Sequence, residues 1–173
     1  MKILALDIAT VTGWACGDTT AFLLAAQPAD RAIYGAVRLN RRGLSWGAKF
    51  DAQYQALYDL AAQHTPCTIV CEAPFAGKST TTNRQIFGLS AIADMAFHNL
   101  GLMRGHDIQA VYEVPPQTWR KHFLGKGRGP REEMKAAALT RCRQLGFEPD
   151  DDNAADALGL LDYAMHRFMK HGF

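Results

Sequence analysis

The stretch KILALDI, residues 2–8, decides the fold class of this 173-residue chain. It is an apolar run with a single acid, Asp7, near its end, and this pattern is typical of a buried β-strand. A strand of this kind is expected to run through the middle of a sheet that is covered on both faces. Asp7 is therefore the first candidate for a functional side chain.

The segments that follow predict a mixed sheet with helices packed on it. A second strand begins at Trp14, and residues 32–39 predict a third strand, antiparallel to its neighbour. Further strands are predicted over 68–71 and 108–114, helices over 46–64, 83–101, 130–145 and about 152–171, and a loop or hairpin insertion over 19–30. The order β-β-β-α-β-α-β-α-α, without a repeat or a linker, predicts a single α/β domain over residues 1–173.

The composition is that of an ordinary folded protein, with 48% hydrophobic and 21% charged residues. A chain of this length buries enough surface for a core without disulfides or a structural metal. No apolar run approaches the roughly 18 residues that cross a bilayer, and Asp7 interrupts the region where a signal peptide would be apolar. The cysteines form no CxxC pair and are expected to be buried free thiols: Cys16, Cys67, Cys71 and Cys142. We therefore expect a cytoplasmic protein that does not bind membranes.

Charge is distributed unevenly, although the formal net charge is only +2. Residues 119–143 hold eight basic residues and two acids, residues 38–49 hold four basic residues and no acid, and five aspartates follow Glu148. Basic stretches beside a tight group of acids are typical of phosphate binding next to a divalent metal. An ordinary solvated helix surface is the alternative that charge alone leaves open.

Three acids occupy positions where a purely structural acid is unusual. Asp7 and Glu72 each end an apolar strand, and Asp156 lies within a helical stretch of small and apolar residues. A buried carboxylate without a partner is costly, so such acids are paired, hydrogen-bonded or bound to metal. Oxygen ligands from three separate elements suit Mg²⁺ or Mn²⁺. The alternatives are a turn-capping role for Asp7 and an ion pair at Glu72.

Four short motifs together resemble the RuvC-type Holliday-junction resolvases of the ribonuclease H-like superfamily. They are Leu6-Asp7, Val11-Thr12-Gly13-Trp14, Val70-Cys71-Glu72-Ala73-Pro74-Phe75 and Ala155-Asp156-Ala157-Leu158, and their order and spacing match over about residues 2–170. The resemblance implies a five-stranded mixed sheet of order 3-2-1-4-5 flanked by helices. It also implies a homodimer that cuts four-way DNA junctions symmetrically and leaves 5′-phosphate and 3′-hydroxyl ends.

The resemblance assigns Asp7, Glu72 and Asp156 to three catalytic acids that hold two Mg²⁺ ions per active site, with Mn²⁺ as a substitute. The fourth acid departs from the family pattern. Family members usually carry it three residues before the last acid, where this chain has Asn153, and Asp152 stands one residue earlier. Because both spacings bring side chains to one helix face, Asp152 is the predicted fourth catalytic and metal-binding residue. An N-cap role for Asp152, with Asn153 as a neutral oxygen ligand, is the alternative.

Two stretches are expected to contact DNA. In the first, the resemblance implies that Phe75 can wedge between bases at the junction, while Lys78 and Arg84 add positive charge nearby. The second stretch is GKGRGPR, residues 125–131, together with the helix that follows. Its predicted DNA contacts are Lys126, Arg128, Arg131 and Lys135. Ordinary packing of Phe75 and a flexible solvent-exposed loop over 125–131 are the alternatives.

The leading interpretation is a crossover junction endodeoxyribonuclease, and three others compete with it. Another ribonuclease H-like nuclease, acting on flaps or RNA–DNA hybrids, would use the same acids, and a catalytically weak junction-binding module is a further alternative. The actin and sugar-kinase ATPases open with a similar turn, but residues 7–13 lack its early glycine. The short chain and the divergent fourth acid favour a phage or prophage origin. The histidines, among them His98, His106 and His122, show no ligand spacing and are expected to have no metal role.

Overall fold

The central strand of the sheet is the one that the opening residues predict. The computed structural model describes residues 1–25, 28–39, 43–76, 79–104 and 108–171. Within these residues the strands are β1 (Lys2–Asp7), β2 (Val11–Asp18), β3 (Ala32–Arg38), β4 (Thr68–Glu72) and β5 (Ala110–Val114). They form one sheet of order β3-β2-β1-β4-β5, in which β1–β2 and β2–β3 are antiparallel and β1–β4 and β4–β5 are parallel. The predicted mixed sheet and its strand order are confirmed.

Helices flank both faces of this sheet. They are α1 (Thr19–Leu24), α2 (Trp46–His64), α3 (Thr80–Arg104), α4 (Pro116–Leu124), α5 (Arg131–Gln144) and α6 (Asp152–His171), and a short 3₁₀ helix covers Pro28–Arg31. The predicted start of α2 is confirmed, because the Ser45 side chain accepts a hydrogen bond from the backbone N–H of Ala48 at 3.2 Å. In the described part of the chain, no helix is both long enough and apolar enough to cross a membrane.

Alternation along the strands divides the core into two layers. Ile3 and Ala5 of β1 pack with α4, α5 and α6, whereas Leu4 and Leu6 pack with α2 and α3. Successive residues of a strand point to opposite sides of the sheet, which is why one strand serves both layers. We call these two sides the α4–α6 face and the α2–α3 face.

The structure corrects the prediction for residues 19–30, which form α1 and the 3₁₀ helix rather than a hairpin or loop insertion. Asp18 starts α1 by accepting hydrogen bonds from the backbone N–H groups of Thr20 at 2.8 Å and Ala21 at 3.4 Å. No residue of α1 is buried. End capping rather than burial fixes this helix, so it has no apolar periodicity that a sequence reading could detect.

One helix and several boundaries also differ from the prediction. Helix α4 is absent from the predicted order; it begins at Pro116, where the missing N–H of proline costs nothing, and it buries Trp119. Strand β2 begins at Val11 instead of Trp14, and α3 passes Gly101 to end at Arg104. A single glycine lowers helix stability by only about 1 kcal/mol, so tertiary packing can carry the helix through it.

The cysteines match the expected free thiols with one difference. Cys16, Cys71 and Cys142 are buried and unbridged, whereas Cys67 is unbridged but only partly buried. Burial raises the pKa of Cys16 to about 11 and that of Cys142 to about 12. These thiols are therefore protonated and unreactive at neutral pH.

Candidate active site

Two acidic side chains meet at one edge of the sheet. Strands β1 and β4 are parallel neighbours, with Leu6 opposite Cys71, and Asp7 and Glu72 are the next and last residues of the two strands. Because Leu6 and Cys71 face α2 and α3, Asp7 and Glu72 point to the α4–α6 face. Strand register and alternation therefore bring these two predicted site residues together.

The start of α6 brings two further acids to the same place. The Asp151 side chain accepts a hydrogen bond from the backbone N–H of Ala154 at 2.9 Å, so Asp151 is the N-cap of this helix. Asp152 is consequently free of the capping role that was its alternative. Asp156 lies one turn further along the same side of α6.

The four predicted acids line one cavity of about 370 Å³. Cations from α4 and α5 form part of its wall, and the backbone before α5 closes one side. The lining residues are Asp7, Ala9, Glu72, Arg120, Gly129, Arg131, Met134, Lys135, Asp152, Asn153 and Asp156. The cavity therefore combines both residue types, acidic and basic, that the charge distribution singles out.

A close approach between β2 and α6 sets the position of the helical acids. A Cβ atom on Gly13 would lie only 1.9 Å from the backbone oxygen of Asn153. Gly13 is also the register partner of Asp7 on the neighbouring strand. Because any side chain at Gly13 would push the first turn of α6 away, the glycine is needed to hold that turn beside Asp7.

Helix α4 supplies two contacts to the acids that the sequence reasoning missed. The buried Trp119 donates its indole N–H to Glu72 Oε2 at 2.7 Å. The guanidinium of Arg120 lies 3.4 Å from Glu72 Oε2 and 3.4 Å from Asp156 Oδ2. The ion pair that was the alternative role for Glu72 is thus present, inside the acidic cavity, and it links an acid of the sheet to an acid of α6.

The surroundings of three of the acids disfavour the ionised form of the carboxyl group. Burial, together with the charges of Glu72 and Asp156, raises the pKa of Asp7 well above its usual value. Burial also raises the pKa of Glu72, against the opposing charge of Arg120. The pKa of Asp156 is raised to about 7, chiefly by burial, with Arg120 opposing this shift and Glu72 adding to it. A cation placed among these carboxylates would restore their charged forms.

Asp152 has a different environment from the other three acids. Its Oδ2 atom lies 2.5 Å from the Nζ atom of Lys135. Partial burial raises the pKa of Asp152, but the hydrogen bond and charge of Lys135, with Arg131 also contributing, outweigh that effect and lower it. Asp152 is therefore a charged carboxylate that already has a cationic partner.

The basic residues predicted from the second stretch divide into two pairs. Arg131 and Lys135 line the cavity, within the wall that faces the acids. Lys126 and Arg128 are exposed on the loop that precedes α5, outside the cavity. The structure therefore places one pair at the acids and the other on the adjoining surface.

Phe75 and Arg84, which belong to the first of the two stretches predicted to contact DNA, do not line the cavity. Phe75 follows β4 and is 68% exposed, so the alternative of ordinary packing is wrong for this ring. Arg84 is exposed on α3, with its guanidinium 6.0 Å from the ring centroid of Trp46. Lys78 lies outside the described residues.

The donor set of the cavity could hold divalent cations. Asp7, Glu72, Asp152 and Asp156 offer only carboxylate oxygens, and hard ions such as Mg²⁺ and Mn²⁺ prefer such ligands. Asn153 also reaches the cavity wall and could add a neutral oxygen. The residues present therefore fit the metal type that the sequence predicts.

The two missed contacts from α4 had a signal in the sequence. Pro115 and Pro116 predict the end of β5, but a proline is also favoured at the first position of a helix. Trp119 and Phe123 follow at the i,i+4 spacing of an apolar helix face, and both are buried. That pattern could have predicted α4, although not the contact between Trp119 and Glu72.

The arrangement of strands and helices is shared with known junction resolvases. The Thermus thermophilus RuvC structure matches with a TM-score of 0.69 at 16% sequence identity, over 98% of this chain and 96% of that one. The structure of T. thermophilus RuvC in complex with a Holliday junction substrate gives a TM-score of 0.71 at 16% identity, over 99% and 98%. The yeast mitochondrial Holliday junction resolvase Ydc2 gives 0.61 at 10% identity, over 94% of this chain and 78% of that one.

These comparisons identify the fold of this chain. No protein-family model and no curated protein matches the sequence. The chain has the ribonuclease H-like fold in the form that RuvC and Ydc2 share, over nearly its whole length. The resemblance that the four short motifs indicate is therefore confirmed at the level of the fold.

Proposed function

We propose that this protein is a metal-dependent endonuclease that resolves four-way DNA junctions and other branched DNA by symmetric phosphodiester hydrolysis, as a crossover junction endodeoxyribonuclease. One observation carries the proposal: four carboxylates converge on a cavity whose wall includes Arg131 and Lys135. Phosphodiester hydrolysis of this kind needs acids that bind metal ions and cations that bind phosphate. The fold supports the choice of substrate, because one similar structure is that of RuvC in complex with a Holliday junction substrate.

The metal ions of this proposal are two Mg²⁺ per site, with Mn²⁺ as a substitute. Asp7, Glu72, Asp152 and Asp156 would hold them through carboxylate oxygens. When bound, the ions lower the pKa of the attacking water and stabilise the leaving 3′ oxygen. The task of the protein is to keep four carboxylates close together against their mutual repulsion.

Trp119 and Arg120 perform part of that task. The hydrogen bond from Trp119 fixes the orientation of the Glu72 carboxylate, because a buried indole N–H on a packed ring has little freedom to move. Arg120 lies between Glu72 and Asp156 and offsets part of their negative charge. Both are positioning residues in this proposal, since they act on the acids.

Arg131 and Lys135 are the proposed contacts to the phosphate that is cut. They lie in the first and second turns of α5, which starts without a side-chain cap, so its first backbone N–H groups are available to an anion. The phosphate would share Lys135 with Asp152. This arrangement brings the phosphate to the metal-binding acids.

Exposed residues outside the cavity suit the branch point and the DNA backbone. Phe75 presents an aromatic ring that is 68% exposed, and such a ring can stack on a base that has lost its neighbour at a junction. Lys126 and Arg128 on one side, and Arg84 on another, would contact phosphates without reading sequence. We propose that these contacts select branched DNA by its shape.

Symmetric cutting requires two active sites, so we propose that the protein is a homodimer. Phe87 and Met95 of α3 are 47% and 45% exposed, which is large for apolar side chains and suits a partner surface. Light scattering after size-exclusion chromatography should give twice the mass of the 19.1 kDa chain. The mass of a single chain would contradict this part of the proposal.

The test is cleavage of a synthetic four-way DNA junction with Mg²⁺ or Mn²⁺, run beside a linear duplex, a flap and an RNA–DNA hybrid. We expect paired, symmetric nicks in the junction that carry 5′-phosphates. Asp7→Asn should reduce the rate by at least about 100-fold, since it removes a central metal ligand. Asp59→Asn is the matched control, because Asp59 is an exposed acid of α2 on the opposite side of the sheet.

Two other results would change the proposal in different ways. Binding of the junction without cutting would favour a junction-binding module. Preferential cutting of the flap or the hybrid would retain the hydrolytic site and overturn the substrate. Either result is distinguishable from misfolding, because circular dichroism of the same sample reports the fold.

The fourth acid has a test of its own. Asp152→Ala should abolish junction cleavage, because Asp152 lies in the cavity beside Lys135 while Asp151 performs the capping. Asn153→Asp in that variant restores the spacing of the family pattern. Full recovery by the second change would show that the two positions are interchangeable and would contradict a specific role for Asp152.

A further inference from the structure

Two histidines and an aspartate converge outside the acidic cavity, where α4 packs on α6. The Nε2 atom of His122 lies 2.9 Å from Asp162 Oδ2, and the Nδ1 atom of His166 lies 3.6 Å from the same oxygen. One potential ligand atom from each residue lies within 4.8 Å of the other two. The structure thus corrects the expectation that His122 has no partner at ligand spacing.

The hydrogen bonds of this cluster favour the forms that bind a metal. A backbone carbonyl can only accept, so the 2.8 Å contact between His166 Nδ1 and the Asp162 carbonyl oxygen places the proton on Nδ1. In the neutral imidazole the Nε2 atom of His166 then keeps its lone pair. Because the 3.6 Å contact to Asp162 Oδ2 is made by Nδ1, the ring of His166 would have to turn for Nε2 to bind an ion held by His122 and Asp162. A histidine whose other nitrogen donates to a backbone carbonyl is the usual arrangement of a metal-binding imidazole.

The donors of this cluster differ from those of the acidic cavity. Two imidazoles and one carboxylate suit Zn²⁺ and its neighbours in the first transition row, whereas the carboxylate set of the cavity suits Mg²⁺. Ligands at about 2.0–2.1 Å from a tetrahedral Zn²⁺ lie roughly 3.3 Å apart, whereas the atoms of this cluster lie within 4.8 Å of one another, so side-chain rotation would bring them closer when the ion binds. The three side chains are between 19% and 41% exposed, which leaves an open side for the ion and a water ligand.

We propose that His122, Asp162 and His166 form a second metal site, specific for Zn²⁺ or a similar transition-metal ion and independent of the acidic cavity. The ion would replace the proton that His122 shares with Asp162. Because His122 belongs to α4 and the other two ligands to α6, the bound ion would fasten these helices together. Helix α4 also carries Trp119, three residues before His122, so the same ion would help to hold the indole against Glu72.

The test is calorimetric titration of the full-length protein with ZnSO₄ in a large excess of Mg²⁺, which keeps the acidic cavity supplied with its own ion. We expect one strong Zn²⁺ site per chain. His122→Ala and His166→Ala should each weaken it by at least about tenfold. The matched control is His98→Ala, which removes an exposed histidine from α3 and should leave the affinity unchanged.

A second control separates this site from the acidic cavity. Asp7→Asn should retain Zn²⁺ binding, and Co²⁺ used in place of Zn²⁺ should give the intense visible bands of a four-coordinate site that includes nitrogen ligands. Zn²⁺ should also raise the melting temperature of the wild-type protein and not that of His166→Ala. Equal Zn²⁺ affinity in the wild type and both histidine variants would overturn the proposal, as would loss of binding in Asp7→Asn or the absence of a Zn²⁺ site.

Discussion

The two faces of the sheet share the same strands, but a helix lies closer to them on the α4–α6 face than on the α2–α3 face. On the α2–α3 face, Leu4 and Leu6 meet large apolar groups such as Phe97. On the α4–α6 face, Ala5 of β1 and Ala155 of α6 are both small, although the same layer also holds Trp119 and Phe123. Small side chains on both partners allow a helix to lie close to a sheet.

The close packing on the α4–α6 face serves the candidate site. The backbone of Asn153 almost touches Gly13, whereas the tightest glycine contact on the α2–α3 face, that of Gly88, is to the ring of Phe50. A contact made by backbone cannot relax as a contact with the end of a side chain can. Substitutions should therefore cost more, in both stability and activity, on the α4–α6 face.

The largest effect is expected for Gly13→Ala. Its added methyl group would displace the first turn of α6, which carries Asp152, and such overpacking lowers the free energy of unfolding by about 1–3 kcal/mol. Junction cleavage should fall to background. Gly47→Ala in α2 is the matched control, because its nearest neighbour is 3.9 Å away; it should raise stability by about 0.5–1 kcal/mol. Urea denaturation and cleavage assays would compare the two, and similar losses in both would erase the contrast between the faces.

A smaller effect on cleavage is expected for Trp119→Phe. The variant keeps most of the apolar ring but leaves Glu72 without its 2.7 Å hydrogen bond, which should lower the free energy of unfolding by about 1–3 kcal/mol. Cleavage should fall about tenfold, since Glu72 loses its fixed orientation. The same substitution at Trp14, which packs on the α2–α3 face and stacks on His64, removes no hydrogen bond to an acid among the described residues. If Trp14→Phe reduced cleavage equally, the indole of Trp119 would have no special role.

The acids of the cavity predict an unusual dependence of stability on pH in the absence of divalent ions. Asp156 has a pKa of about 7 in the folded protein, compared with 3.8 ordinarily. Between these values the folded state holds a proton that the unfolded state has lost, so stability falls as the pH rises from about 4 through 7. Because the pKa of Asp152 is lowered, its ionisation makes the folded state more stable as the pH rises, but this effect is confined to pH values below about 4.

Thermal unfolding in a chelating buffer would measure this dependence. We expect the melting temperature to be higher at pH 5.5 than at pH 8. The difference should be about 2–4 °C for each kcal/mol by which the free energy of unfolding differs between the two pH values. Mg²⁺ should raise it more at pH 8, where the carboxylates are ionised. Asp156→Asn should flatten the profile and Asp59→Asn should not. A stability that rises between pH 5.5 and pH 8 in the chelating buffer would contradict the raised pKa of Asp156.

The sheet could be predicted from the sequence because its strands have local patterns of apolar residues. Residues 2–8 are a short apolar run with Asp7 near its end, and residues 68–71 are a second one that Glu72 follows directly; parallel neighbours place such ends together. Helix α4 was missed because it begins at the second of two adjacent prolines, and such prolines also end a strand. Helix α1 was missed because capping by Asp18, with no buried side chain, determines it.

The candidate site could be predicted only in part, because the spacing of residues along the sequence does not determine which side chains meet in the folded chain. Three successive aspartates precede Asn153, and any of them could cap α6; the structure assigns that role to Asp151. The contact of Trp119 with Glu72 joins residues 47 positions apart and depends on how α4 packs. His122 and Asp162 likewise meet only because α4 lies on α6.

The smallest effect is expected for Gln53→Met on the α2–α3 face. The Thr12 hydroxyl lies 2.9 Å from the Ala9 carbonyl oxygen and 3.2 Å from Gln53 Oε1. The buried Gln53 Nε2 atom has no hydrogen-bond partner among the described residues. Methionine fills a similar volume without that polar atom, and Thr12 keeps its bond to Ala9, so the free energy of unfolding should change by less than about 1 kcal/mol.

Cleavage should be unchanged in Gln53→Met, because the substitution leaves in place the hydrogen bond from Thr12 to Ala9, which lines the acidic cavity. Gln53→Ala is the matched variant: it leaves a cavity in the same place and should cost more stability than methionine does. Denaturation curves and junction cleavage would be measured on both variants. If Gln53→Met reduced cleavage as strongly as Gly13→Ala, the α2–α3 face would be coupled to the acids. The conclusion that substitutions cost more activity on the α4–α6 face would then be wrong.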